Sequence, residues 1–122
     1  MDTLVRMRWV TALVLDLCCV AAFVLIGRAS HGEGETVAGV ARTAWPFLMG
    51  LAIGWVAARG WRRPVSVLRA GAGVWIVTVV VGMALRAVFG QGIAATFVLV
   101  ALAFLGLFML GWRAVAGRLL KA

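Results

Sequence analysis

Four apolar stretches, 9–26, 44–58, 70–89 and 93–112, divide this 122-residue chain. A helix rising 1.5 Å per residue needs about 20 residues to cross the hydrocarbon of a bilayer, within a range of roughly 17–25. The first, third and fourth stretches meet that length directly. The second is short, and two readings repair it. It extends back toward Val37, with Arg42 snorkelling outward and Pro46 kinking the helix. Alternatively Thr43 caps it, and Pro46 falls in the first turn, where its missing N–H costs little. The expected fold is all-α: a single transmembrane domain over 1–122, built as an integral membrane four-helix bundle.

Composition agrees. The chain is 65% hydrophobic and 13% charged, against about a quarter charged in soluble domains. Too few polar side chains remain to clothe a small water-soluble surface. The first stretch has the basic flank of a secretory leader, Arg6 and Arg8. It nevertheless exceeds the ~7–15 apolar residues of such leaders, and no small-x-small cleavage site precedes Arg28. It is read as a retained helix.

The net charge is +8. A nucleic-acid footprint needs basic residues gathered on one face of a soluble domain, whereas here nearly every cation flanks an apolar run. Arg6 and Arg8, then Arg59, Arg62, Arg63 and Arg69, then Arg113, Arg118 and Lys121 fall at one end of the alternating helices. Only Arg28, Arg42 and Arg86 fall at the other. Positive-inside counting places both termini and the 59–69 connection in the cytoplasm of a plasma-membrane protein. Trp9, Trp45, Trp61 and Trp112 then sit near the interfaces. The expected partners are the lipid bilayer and a homodimer or larger membrane complex. No nucleic acid is expected.

Asp16 is the most informative residue. It lies inside the first stretch, where a carboxylate costs about 2.5–3.5 kcal/mol on insertion scales. Each neighbouring Leu, Val or Phe returns roughly 0.3–0.6 kcal/mol, so the helix still inserts. Two roles are open: a proton or cation site facing the bundle interior, or a hydrogen-bonding anchor between helices. Ala12, Cys19, Phe23 and Gly27 share its face. On the third stretch Thr78, Gly82 and Arg86 repeat every four residues as a polar stripe. Arg86 is therefore the first partner to consider for Asp16, and snorkelling toward phosphate or toward Glu33 and Glu35 is its other reading.

The connection 27–43 holds Gly27, Arg28, Ser30 and the chain's one histidine, His31. His31, Glu33 and Glu35 would share one side of an extended strand, but three glycine-spaced ligands are a weak metal signature, and no metal is expected. Pro46, Gly50 and Gly54 form a small-residue stripe that lets helices approach closely, within one chain or between chains. The Gly90-Gln91-Gly92 turn is short enough to force the last two helices into an antiparallel hairpin. Cys18 and Cys19 are adjacent and read as small hydrophobes. With no phosphate-binding loop and no Ser/His/Asp set, neither an enzyme nor a cofactor is expected.

Gly27-Arg28-x-Ser30-His31, Trp45-Pro46-Phe47-x-x-Gly50, Gly82-Met83-x-x-Arg86, Gly92-x-Ala94 and Gly111-Trp112-Arg113 together resemble the domain of unknown function 3054 family, as does Asp16 at its spacing before the first run. The resemblance spans nearly the whole chain. It implies a small multi-helix membrane protein of the mainly actinobacterial and haloarchaeal kind, and it supplies no activity. Two functions follow from the residues. One is a small proton- or ion-linked transport or permeation protein, with Asp16 as coupling carboxylate, Arg86 as counter-charge and Ser30-His31 as an outer gate. The other is a non-catalytic membrane subunit or scaffold in which the same residues fix packing.

Overall fold

In the computed structural model residues 2–30 and 36–121 are described. Four helices follow one another: α1 Asp2–Ser30, α2 Val37–Ala57, α3 Ala72–Val88 and α4 Ala95–Lys121, with a single π turn, Val67–Gly71, leading into α3. Among the described residues there is no strand. All four carry spans long and apolar enough to cross a membrane, Trp9–Ala29, Val37–Ala57, Val67–Val88 and Ala95–Leu119. Only 22–39% of the residues in their most apolar windows are buried inside the molecule. The remainder, including Val14, Val56, Val80 and Leu107, turn outward. In water such a surface would aggregate; in lipid it is the solvated face. This is a membrane protein.

The helices run longer than the apolar stretches. α1 begins before Trp9 and runs to Ser30, and α4 runs on past Trp112. Hydropathy marks the length that dissolves in lipid. Hydrogen bonding continues until a breaker or cap intervenes, and residues 2–8 and 113–121 contain no proline. Gly27, Arg28 and Ser30 are therefore helical residues and not part of a loop, and residues 37–43 belong to α2. α2 takes the first of its two readings: it starts at Val37, the Thr36 side chain accepts from the Gly39 N–H, and Pro46 lies inside the helix.

Small residues decide how α2 meets α3. A Cβ on Gly50 would stand 2.6 Å from the Thr78 carbonyl oxygen, and one on Gly54 would stand 3.0 Å from that of Val74. In return, Phe47 fills the space above Gly82, where a Cβ would lie 2.7 Å from its ring. The Pro46–Gly50–Gly54 stripe is thus spent within the chain. Phe23 is the hub of the central core, edge-on to Phe47 at 5.2 Å and tilted against Phe97 and Phe104 at 5.8 Å each. Between α3 and α4, Gly90 and Gly92 adopt positive φ of 71° and 86°, the left-handed region in which glycine has no Cβ penalty.

Candidate functional site

Asp16 is fully buried on the inner face of α1, one turn from Ala12 and one from Val20. Four donors converge on it. Oδ1 accepts from Trp112 Nε1 and from Arg113 Nη1, both at 2.9 Å. Oδ2 accepts from Trp55 Nε1 at 2.9 Å and from Arg113 Nη2 at 2.6 Å. A carboxylate offers about four lone-pair sites, and all four are occupied. Arg113 is equally buried. Beyond the fork on Asp16, its Nη1 donates to Met109 O at 3.1 Å and its Nε to Pro64 O at 2.8 Å. Its guanidinium carbon also lies 4.5 Å from the Trp112 ring centroid, close enough for a cation–π contact.

Three of the four helices and one connection contribute to this clamp. The acid comes from α1, one indole from the last turns of α2, and the arginine and second indole from α4. The connection before α3 supplies the Pro64 carbonyl. The π turn makes the room: Gly71 N–H bonds Ser66 O, five residues back, at 2.9 Å, and a Cβ on Gly71 would lie 2.8 Å from Arg113 Cδ. Such wide turns cost hydrogen-bond geometry and recur where a side chain must be admitted. Removing one partner of a buried ion pair costs about 3–5 kcal/mol, because the other is left uncompensated. The arrangement binds four segments together and engages both oxygens of Asp16 twice over.

Arg86 is elsewhere. At the opposite end of the bundle its Nε donates to Gly92 O at 3.0 Å, its Nη2 to Gln91 O at 3.1 Å and its Nη1 to Gln91 Oε1 at 3.2 Å, while its carbon lies 4.2 Å from the Phe97 ring centroid. The pairing of Asp16 with Arg86 is thereby corrected: both oxygens of the acid are filled by other donors, and Arg86 folds back over its own turn. Gln91 in turn donates through Nε2 to Arg42 O at 3.1 Å. Arg42 stands four residues before Pro46, so its carbonyl is the one deprived of a helical N–H by the proline ring. The turn thus supplies the donor that the proline withholds. Thr78, the third member of the polar stripe, is buried and bonds back to Val74 O at 2.6 Å, a local contact inside α3.

Between these elements lies a cavity of about 810 Å³, lined on α1 by Phe23, Val24, Gly27 and Arg28, on α2 by Arg42 and Thr43, and beyond them by Arg86, the 90–92 turn and the first turns of α4. Arg28 crosses to α2, its Nη1 donating to Thr43 Oγ1 at 2.9 Å, with Gly39 leaving space beneath it. Phe23 and Phe97 contribute its aromatic lining. From Phe23 to Asp16 is seven residues of helix, roughly 10 Å, so the clamp and the cavity are separate. Among the described residues no group of three His, Cys, Asp or Glu is placed to hold a metal. His31, Glu33 and Glu35 lie outside the described residues, as does the Ser30 side chain.

Residues 13–116, which include both members of the clamp, match the profile of a family described as protein of unknown function (DUF3054). The chain belongs to the DUF3054 family. No curated relative and no solved structure matches it. In this DUF3054 protein the residues that carry the resemblance fall in three places: Gly27, Arg28, Arg86 and Gly92 at the cavity, Phe47, Gly50 and Gly82 in the α2–α3 contact, and Asp16, Trp112 and Arg113 at the clamp.

Trp112 was expected near an interface and Arg113 counted among the cations of the cytoplasmic C-terminal flank; the indole donates inward to Asp16 and the arginine is fully buried. The signal for this pair was one of depth. Asp16 stands seven residues inside Trp9, and once α4 is allowed to run to Leu119 as a span, Arg113 stands six residues inside its end. Trp55 and Gln91 carried no comparable signal.

Proposed function

We propose that this chain is a non-catalytic, multi-pass plasma-membrane protein that acts by binding rather than by ion-coupled transport. The observation that carries this reading is the closure of Asp16. A coupling carboxylate must exchange its proton or cation with a water-filled path, and this one has every acceptor engaged and lies about 10 Å along α1 from Phe23, a residue of the cavity lining. The charge distribution supports termini in the cytoplasm, with the cavity at the outer face. The test is proton flux across an imposed pH gradient in proteoliposomes holding the purified chain. The reading expects leakage equal to that of protein-free vesicles; a protein-dependent flux overturns it.

The cavity favours a second reading, permeation, because it penetrates the bundle from one end. The described cavity lining goes no deeper along α1 than Phe23, so on this reading a second copy would supply the other wall of the path. Cross-linking in native membranes that yields only monomer removes this alternative.

A further inference from the structure

Resting on the reading that the chain acts by binding, we propose that the outer cavity is a site for an anionic amphiphile, a phosphate or carboxylate head group carried on an apolar tail. The chemistry of the lining divides into two zones. Three guanidiniums, from Arg28, Arg42 and Arg86, reach it from three different helices. Among the described residues no acid lines it. Guanidinium forks match the oxygens of phosphate and carboxylate. Beneath them Phe23, Phe97 and Val100 offer an apolar wall, the last 54% exposed. A volume of about 810 Å³ falls within the ~300–1,000 Å³ of small-molecule sites, far more than a bare anion fills.

The three arginines are not equivalent. Arg28 and Arg86 hold Thr43 and the 90–92 turn, and so serve as the frame of the site. The guanidinium of Arg42 is engaged by no side chain or carbonyl among the described residues, while its own carbonyl is fixed by Gln91. Arg42 is thus a cation on an anchored backbone, ready to take the head group. Its removal breaks no described contact, which makes it the variant of choice.

The experiment is a thermal-unfolding series on the full chain in a nonionic detergent, with three probes: short-chain phosphatidylglycerol, short-chain phosphatidylcholine and inorganic phosphate. Phosphatidylglycerol is expected to raise the melting midpoint by several degrees when well above its dissociation constant, and phosphatidylcholine to leave it unmoved. Arg42→Gln should weaken phosphatidylglycerol about tenfold or more, as loss of a charge-assisted hydrogen bond does. Arg62→Gln, at the opposite end of the bundle, should not weaken it. Equal stabilisation by phosphatidylcholine, or an Arg42→Gln chain that responds like the parent, overturns the site. Inorganic phosphate acting as strongly as the lipid overturns the amphiphile in favour of a free anion. A proton flux in proteoliposomes would remove the binding reading while leaving the lipid response standing, so the two failures are distinguishable.

Discussion

Asp16 and Arg113 lie 97 residues apart in sequence and meet through two parallel hydrogen bonds of 2.9 and 2.6 Å, with neither side chain exposed. This contact joins the first helix to the last, and the two indoles beside it make the acid inaccessible to anything else.

A buried pair is destabilising to break and much less so to replace. Arg113→Ala should therefore cost about 3–5 kcal/mol, and the double substitution Asp16→Leu/Arg113→Met clearly less, since no charge is then left alone. Unfolding in detergent of both variants checks this; a double variant weaker than the single would refute the pair as drawn.

The indoles contribute separately. Trp55→Phe and Trp112→Phe keep most of the ring volume and each withdraws one N–H from the carboxylate. A loss of about 1.5–3 kcal/mol is expected for a bond to a charged group, with Trp112 at the lower end because it is only partly buried. Equilibrium unfolding of each variant reads the difference, and no loss in either would show that the indoles merely fill space.

Gln91 and Pro46 should be coupled. Gln91→Ala removes its bond to the Arg42 carbonyl and the one it accepts from Arg86, and should cost about 0.5–1.5 kcal/mol. In a Pro46→Ala background a backbone N–H returns at position 46, so the same substitution should cost less. A double-mutant cycle measures the coupling; strict additivity would mean that the turn does not compensate the missing proline N–H.

Gly50→Val and Gly54→Leu should unfold the α2–α3 contact rather than detach a partner, because both positions face α3 within the chain. Gly27→Ala, where a Cβ meets nothing within 4 Å, is the control expected to be near neutral. Size-exclusion profiles and unfolding midpoints separate the outcomes: a folded chain that changes only its oligomeric state would return the stripe to an intermolecular role.

Much of the architecture was legible because lipid imposes a coarse rule: a helix must be apolar over about 20 residues, and such runs can be counted. The intramembrane acid was legible for the same reason, as an exception to that rule. Its partner was not. Periodicity ranked Arg86 first by shared stripe, but depth along a helix depends on where each helix ends, and α4 ends well beyond its apolar run. The bond from Gln91 to the Arg42 carbonyl left open by Pro46 was likewise hidden, since it joins residues whose proximity arises only when the turn folds back over α2.

The central claim, that Asp16 holds helices together and does not carry ions, is tested most directly by Asp16→Asn with two readouts on one preparation. Melting midpoint and proton flux in proteoliposomes are measured at a temperature where parent and variant are both folded. The account predicts a lowered midpoint and a flux that equals protein-free vesicles in both. An unchanged midpoint together with a parental flux that disappears in the variant would contradict it.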